Sequence, residues 1–151
     1  MLLRDASPQD LAAIVALLAD DALGATREEL TDPLPEPYHD AFAAIEADPN
    51  NRVMVLVDDR DEVVGTFQLT LLPNLSHRGS WRAQIEAVRI AASHRGQGIG
   101  RRLIEDAIQM ARAADCRLVQ LTTDRAREDA VEFYLSLGFE ATHHGMKLRL
   151  R

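Results

Sequence analysis

A mixed α/β domain is the fold class this sequence predicts, and three features carry the prediction. Residues 53–57, Val-Met-Val-Leu-Val, form a continuous apolar run of the kind that makes a buried strand. Leu103, Ile104, Ala107, Ile108 and Ala111 fall on one stripe of a helix spanning 99–114. A glycine cluster joins that helix to a preceding strand, so the second half reads as strand, loop, helix, strand, helix. The 151 residues fit one domain, 1–151, and 46% apolar residues supply a core without disulfide or metal staples.

The elements follow in order. Leu2–Asp5 is a short strand. Ser7-Pro8-Gln9-Asp10 opens a helix, with a capping serine, a proline in the first turn and an acid at the positive end. Leu11, Ile14, Val15 and Leu18 continue it at helical spacing, and Gly24 closes it. Residues 31–37 hold three prolines and are a loop; residues 40–47 are a second helix, stopped by Pro49. Strands at 52–57 and 62–72 flank the turn Asp58-Asp59-Arg60-Asp61. A polar loop at 73–80 precedes a strand at 81–90. After the 99–114 helix come a strand at 117–122, a helix at 128–137 closed by Gly138, and a last strand or hairpin at 139–150.

Charge and composition exclude several functions. Seventeen basic against twenty-four acidic residues leave a net charge of −7, which argues against nucleic-acid partners and anionic membranes. No apolar run approaches the ~18 residues of a membrane span. Met1-Leu2-Leu3-Arg4-Asp5 lacks the basic start and apolar stretch of a signal peptide, so the expected compartment is the cytoplasm. Cys116 stands alone and reads as a structural thiol. The histidines show no metal-ligand spacing, and the neighbours His143 and His144 would point to opposite faces of a strand, so no metal is expected; His77 is a candidate lining residue for an acceptor pocket.

The chemistry concentrates in Ser93-His94-Arg95-Gly96-Gln97-Gly98-Ile99-Gly100-Arg101-Arg102. Three of the chain's eight glycines sit in five residues, where they permit tight turning and close approach of backbone N–H groups to a ligand. The helix start adds unpaired donors suited to phosphate. Arg89, Arg95, Arg101 and Arg102 surround it, and residues 87–104 contain no acid. Cations in a first helical turn cost about 0.3–1 kcal/mol each unless an anion is present. The cluster therefore points to a polyanion. A dinucleotide-binding G-x-G-x-x-G fails because Arg101 replaces its last glycine, and a P-loop fails at the same place.

Arg95-Gly96-Gln97-Gly98-Ile99-Gly100 resembles the R/Q-x-x-G-x-G/A pyrophosphate loop of the GNAT superfamily of acetyl-CoA-dependent N-acetyltransferases. Ala130-Val131-Glu132-Phe133-Tyr134-Leu135-Ser136-Leu137-Gly138-Phe139 resembles that family's A-x-x-F-Y-x-x-x-G-F segment. The resemblance implies a twisted mixed sheet of roughly six or seven strands with about four flanking helices, its fourth and fifth strands splayed around the cofactor arm. It assigns the 81–90 strand as the fourth, with backbone groups of Val88 and Ile90 pairing with pantetheine, Arg89 nearby, and the amides of Gly96, Gln97, Gly98, Ile99, Gly100 and Arg101 cradling pyrophosphate beside Arg95. Where many members place asparagine, three residues before Ala130, this chain has Arg127, which either reaches a phosphate of acetyl-CoA or faces solvent.

Acetyl transfer to an amine needs a neutral nucleophile, and a free alkyl ammonium near pKa ~10.4 must first lose its proton. The resemblance assigns Glu86 as the base, directly or through water; the other reading is an acid on a strand's solvent face. It assigns Tyr134 to the thioester sulfur as an acid, against a packing aromatic. The expected acceptor is a primary amine of a small molecule or peptide, with Asp20, Asp21 and Tyr38 as acidic or polar groups near its entry. The last third also broadly resembles small bacterial acetyltransferases of the aminoalkylphosphonate type. The resemblance allows a homodimer through edge strands or the C-terminal hairpin. A non-catalytic acyl-CoA-binding sensor is the alternative function, one that needs the glycine loop but neither Glu86 nor Tyr134.

Overall fold

A computed structural model describes all 151 residues, Met1–Arg151. Its contacts divide the chain into Met1–Gln120 and Leu121–Arg151, described here in turn. The first unit is built on a five-stranded sheet in the order β1 (Leu2–Asp5), β2 (Asn51–Val57), β3 (Val63–Leu72), β4 (Arg82–Ile90) and β5 (Leu118–Gln120). The first four are antiparallel neighbours, and β5 joins β4 in parallel through a crossover helix at Ile99–Ala113.

Helices cover both faces of the sheet. A 3-10 turn at Pro8–Asp10 leads into α1 (Leu11–Ala19), whose Ile14 packs with Val55 and Val57, while Leu11 and Val15 pack with Phe42 of the third helix. A short α2 (Gly24–Arg27) and a longer α3 (Glu36–Ala47) follow. One turn, α4 (Ser76–Gly79), interrupts the β3–β4 connection with His77 and Arg78 in the left-handed region. On the opposite face lies α5 (Ile99–Ala113), which buries Leu103, Ile104, Ala107 and Ala111 as its apolar stripe predicts.

Two helix boundaries differ from the sequence reading. Gly24 opens α2 instead of ending α1: a Cβ there would overlap the Leu18 carbonyl oxygen, and its N–H is held by the Asp21 carboxylate. The 31–37 prolines are not all loop, because Pro35 caps α3 and Pro37 lies in its first turn, where a missing N–H costs nothing.

The second unit contains α6 (Glu128–Ser136) and exposed chain without regular structure after it. The helix ends as expected at Gly138, whose φ of 93° lets the Phe139 N–H return to the Tyr134 carbonyl at 3.1 Å. The expected strand at 139–150 does not form, so the sheet has five strands rather than six or seven. Met146, Leu148 and Leu150 alternate as a strand would but have no ladder partner and stand almost fully exposed.

The entry to α1 rests on one buried carboxylate. Asp10 accepts hydrogen bonds from Arg4 Nη1 (2.6 Å) and Nη2 (3.1 Å), the Ser7 N–H (2.8 Å) and the Ser7 hydroxyl (3.1 Å). The Arg4 guanidinium, followed by the Ser7 bonds and against burial, holds the Asp10 carboxyl below the ordinary carboxylate range. A depressed folded pKa contributes stability that is complete above the unfolded value near ~3.9 and is lost as pH falls through the folded one. Asp10→Asn should therefore lower unfolding free energy at pH 7 by about 2 kcal/mol, and the gap to wild type should close on acidification in urea titrations.

Candidate active site

β4 organises the site. It pairs with β3 along its length, but with β5 only through Arg82, Ala83 and Gln84. Beyond Gln84 its second edge has no strand beside it, as expected of splayed fourth and fifth strands. A bulge interrupts the β3 side: Gln68 pairs with Glu86 and Thr66 with Arg89, leaving Ala87 and Val88 opposite Phe67 alone. Ala87 takes a φ of 55°, which costs a residue with a Cβ about 1–3 kcal/mol. The extra residue shifts the alternation, so that Glu86 and Arg89, three apart, project to the same face of the sheet. Glu86 is exposed there.

The strand ends in backbone groups with no strand beside them. The Ala91 N–H bonds the Val64 carbonyl at 2.8 Å, so alternation sends the polar groups of Ile90 and Val88 to the edge without a neighbour. Their carbonyls accept from arginines: Val88 from Arg89 Nη1 (2.8 Å) and Ile90 from Arg95 Nε (3.3 Å). These are the two residues that the family resemblance assigns to the cofactor arm.

The loop beyond forms a cradle. Gly96 and Gly98 have φ of 75° and 78°, and a Cβ built on either meets nothing within 4 Å. Gly98 caps α5 in the left-handed conformation without any side-chain cap, and its carbonyl receives the Arg102 N–H at 3.1 Å. The amides of Ile99, Gly100 and Arg101 precede the first intrahelical donor and lie at the positive end of a 15-residue helix. Glycine-lined space, the amides of the first helical turn and a helix terminus fit a pyrophosphate.

Each arginine of the cluster has an acid that the sequence reading did not supply. Arg95 Nη2 lies 3.2 Å from Asp20 and Arg89 Nε 3.8 Å from Asp21, at the end of α1. Arg101 and Arg102 reach Glu105 (3.4 Å) and Asp106 (3.6 Å) one turn along α5. Asp20 and Asp21 thus hold Arg95 and Arg89. Tyr38 is engaged as well, donating to Glu28 Oε1 (3.0 Å) and accepting from the Glu29 N–H (2.9 Å).

Four strands contribute a row of polar side chains beside Glu86 that sequence reasoning missed. Asn51 Oδ1 accepts from Gln68 Nε2 (2.9 Å) and Thr70 Oγ1 (3.3 Å), and Gln84 Oε1 accepts from Gln120 Nε2 (3.0 Å). The polar-apolar alternation from Arg82 to Glu86 was the available signal. In the second unit, Tyr134 is held edge-on between Phe133 (centroids 5.2 Å apart) and Phe139 (5.7 Å). Arg127 is the half-buried residue preceding α6, its N–H bonded to the Asp124 carbonyl at 2.9 Å.

Comparison with known proteins identifies the family and the fold. The model of the acetyltransferase (GNAT) family matches residues 19–139. The chain is 32% identical to the aminoalkylphosphonate N-acetyltransferase of Salmonella typhimurium, over 93% of this chain and 86% of that protein. It is 34% identical to the glucosamine 6-phosphate N-acetyltransferase of Trypanosoma brucei brucei over 58% of each. A solved structure from Bacillus halodurans, described as a transcriptional regulator, superposes with TM-score 0.96 at 46% identity over 99% of both chains. One from Agrobacterium tumefaciens, described as a putative acetyltransferase, gives 0.85 at 33%, again over 99% of both.

The cradle can be tested by itself. Nothing occupies the space beside Gly98, and aspartate tolerates the left-handed backbone (φ 78°) at a cost of about 1–3 kcal/mol, so Gly98→Asp should fold, less stably, while placing a negative side chain where phosphate would sit. Titration calorimetry should show coenzyme A affinity falling at least ~10-fold, the scale of losing one charged hydrogen bond.

Proposed function

The chain belongs to the acetyltransferase (GNAT) family, and on that premise we propose that it transfers an acetyl group from acetyl-CoA to a primary amine of a small molecule by direct attack in a ternary complex. The observation that carries this reading is the bulged β4, which sets an exposed carboxylate within four residues of two outward-facing backbone positions and leads directly into an amide cradle. The two named relatives support a small acceptor, since each is named for an amine that also bears a phosphonate or phosphate.

When bound, acetyl-CoA supplies an acetyl group on a thiolate leaving group, so that an N–C bond forms as a C–S bond breaks. Val88 and Ile90 offer backbone groups to the pantetheine amides. That exchange frees Arg89 and Arg95 from the two carbonyls, and Gly96 through Arg101 offer their N–H groups to pyrophosphate. Exposed ion pairs such as Arg95–Asp20 and Arg101–Glu105 are worth only about 0–1 kcal/mol, so they yield readily to phosphate. Arg127 is a further candidate for a phosphate. Glu86 takes the amine proton at a carboxylate oxygen, directly or through water. The Tyr134 hydroxyl gives a proton to the sulfur as the C–S bond breaks.

The Bacillus halodurans description favours one other reading, an acyl-CoA-binding regulatory protein without turnover. A thiol-release assay with acetyl-CoA and a panel of amines separates the two, because only an enzyme releases coenzyme A in proportion to acceptor.

Glu86→Gln should lower kcat roughly 10²-fold at pH 7, with the deficit shrinking toward pH 9.5 as the acceptor deprotonates unaided. An equal loss at both pH values would assign Glu86 a binding role instead. Tyr134→Phe should preserve both edge-on ring contacts and acetyl-CoA affinity while slowing turnover about 10- to 10³-fold. Full kcat in that variant would remove Tyr134 from the catalytic set.

A further inference from the structure

Arg82, Gln84 and Glu86 share one face of β4, since the alternating Ala83 and Ile85 are buried on the other. Gln68 stands directly across from Glu86 on β3. The hydrogen bonds fix how the amides present themselves. Gln68 Nε2 gives one of its two hydrogens to Asn51, which turns its amide so that the carbonyl oxygen is left to accept from something else. Gln84 Oε1 is taken by Gln120, which leaves the Gln84 amide nitrogen as a donor. Along β4 the face therefore changes from acceptors at Glu86 and Gln68, through a donor at Gln84, to a guanidinium at Arg82. At ~3.3 Å per residue the ends lie about 13 Å apart between Cα atoms, and the two long side chains close much of that distance.

We propose that this row is the acceptor subsite, and that the acceptor it selects is zwitterionic: a primary amine with an acidic group a few bonds away. The ammonium lies between the Glu86 carboxylate and the Gln68 carbonyl. The anion meets the Gln84 amide and Arg82, whose guanidinium donates to the uncharged Ser76 hydroxyl (3.3 Å), a partner an anion can displace. Asn51 is a positioning residue, holding Gln68 with its oxygen outward. The charge order also rejects competitors: a polyamine or basic peptide would set its second cation against Arg82. The inference rests on the acetyl-transfer reading and gives it a substrate class.

Steady-state kinetics of the full chain on 2-aminoethylphosphonate and ethanolamine test it. Wild type should prefer the phosphonate by about 10- to 10²-fold in kcat/KM, the scale of charged hydrogen bonds. Arg82→Gln should remove most of that preference through KM, with coenzyme A affinity kept as evidence of folding. Gln68→Met should raise KM for both amines more than it lowers kcat. Equal use of the two amines by wild type, or a preference that survives Arg82→Gln, overturns this inference and leaves acetyl transfer standing. Failure of wild type to acetylate any amine overturns the acetyl-transfer reading, and this inference with it.

Discussion

The first unit depends on β4 being paired along one side and open along most of the other. The β3 ladder gives the strand rigidity, so its side chains have fixed directions. The short β5 pairing ends at Gln84 and leaves Val88 and Ile90 with backbone groups to offer a ligand. The bulge between these regions sets their phase. Without the extra residue, Glu86 and Arg89 would face opposite sides of the sheet. The left-handed backbone at Ala87 is the local cost of keeping them together, and the continuous ladder on either side supports it.

Electrostatics complete the arrangement. A protein of net charge −7 gathers four arginines around one loop, and each is matched by a nearby acid. Asp20, at the negative end of α1, is unfavourably placed by itself, and Arg95 offsets this by bonding both its carboxylate and its carbonyl oxygen. The pairs hold the arginines near the cradle, and their exposure keeps them exchangeable. The same contacts tie the end of α1 to the end of β4, so the first helix and the fourth strand share one electrostatic joint.

Local features were legible in the sequence and distant pairings were not. The glycine cluster, the α5 stripe and the Gly138 stop depend on a few neighbouring residues, and each stands where it was expected. Residues 146–151 alternate apolar and basic as a strand should, but a strand exists only with a partner, and alternation cannot say whether one is present. The acids that match Arg89 and Arg95 lie about seventy positions away, beyond any local pattern. The amide row has the same origin. Gln68, Gln84 and Gln120 come together only through the register of three strands, while their spacing along the chain carries no period.

The arginines at the open edge have a bearing on the protein's behaviour in concentrated solution. An exposed row of strand carbonyls and amides is a template for another chain, and proteins that leave one uncovered tend to associate through it. Here two of the carbonyls are already occupied by guanidinium groups, whose charge and bulk stand where a foreign strand would have to dock. The open edge is thus also a guarded one. A ligand bringing phosphates would compensate displaced arginines, whereas a neutral peptide strand offers them nothing in return.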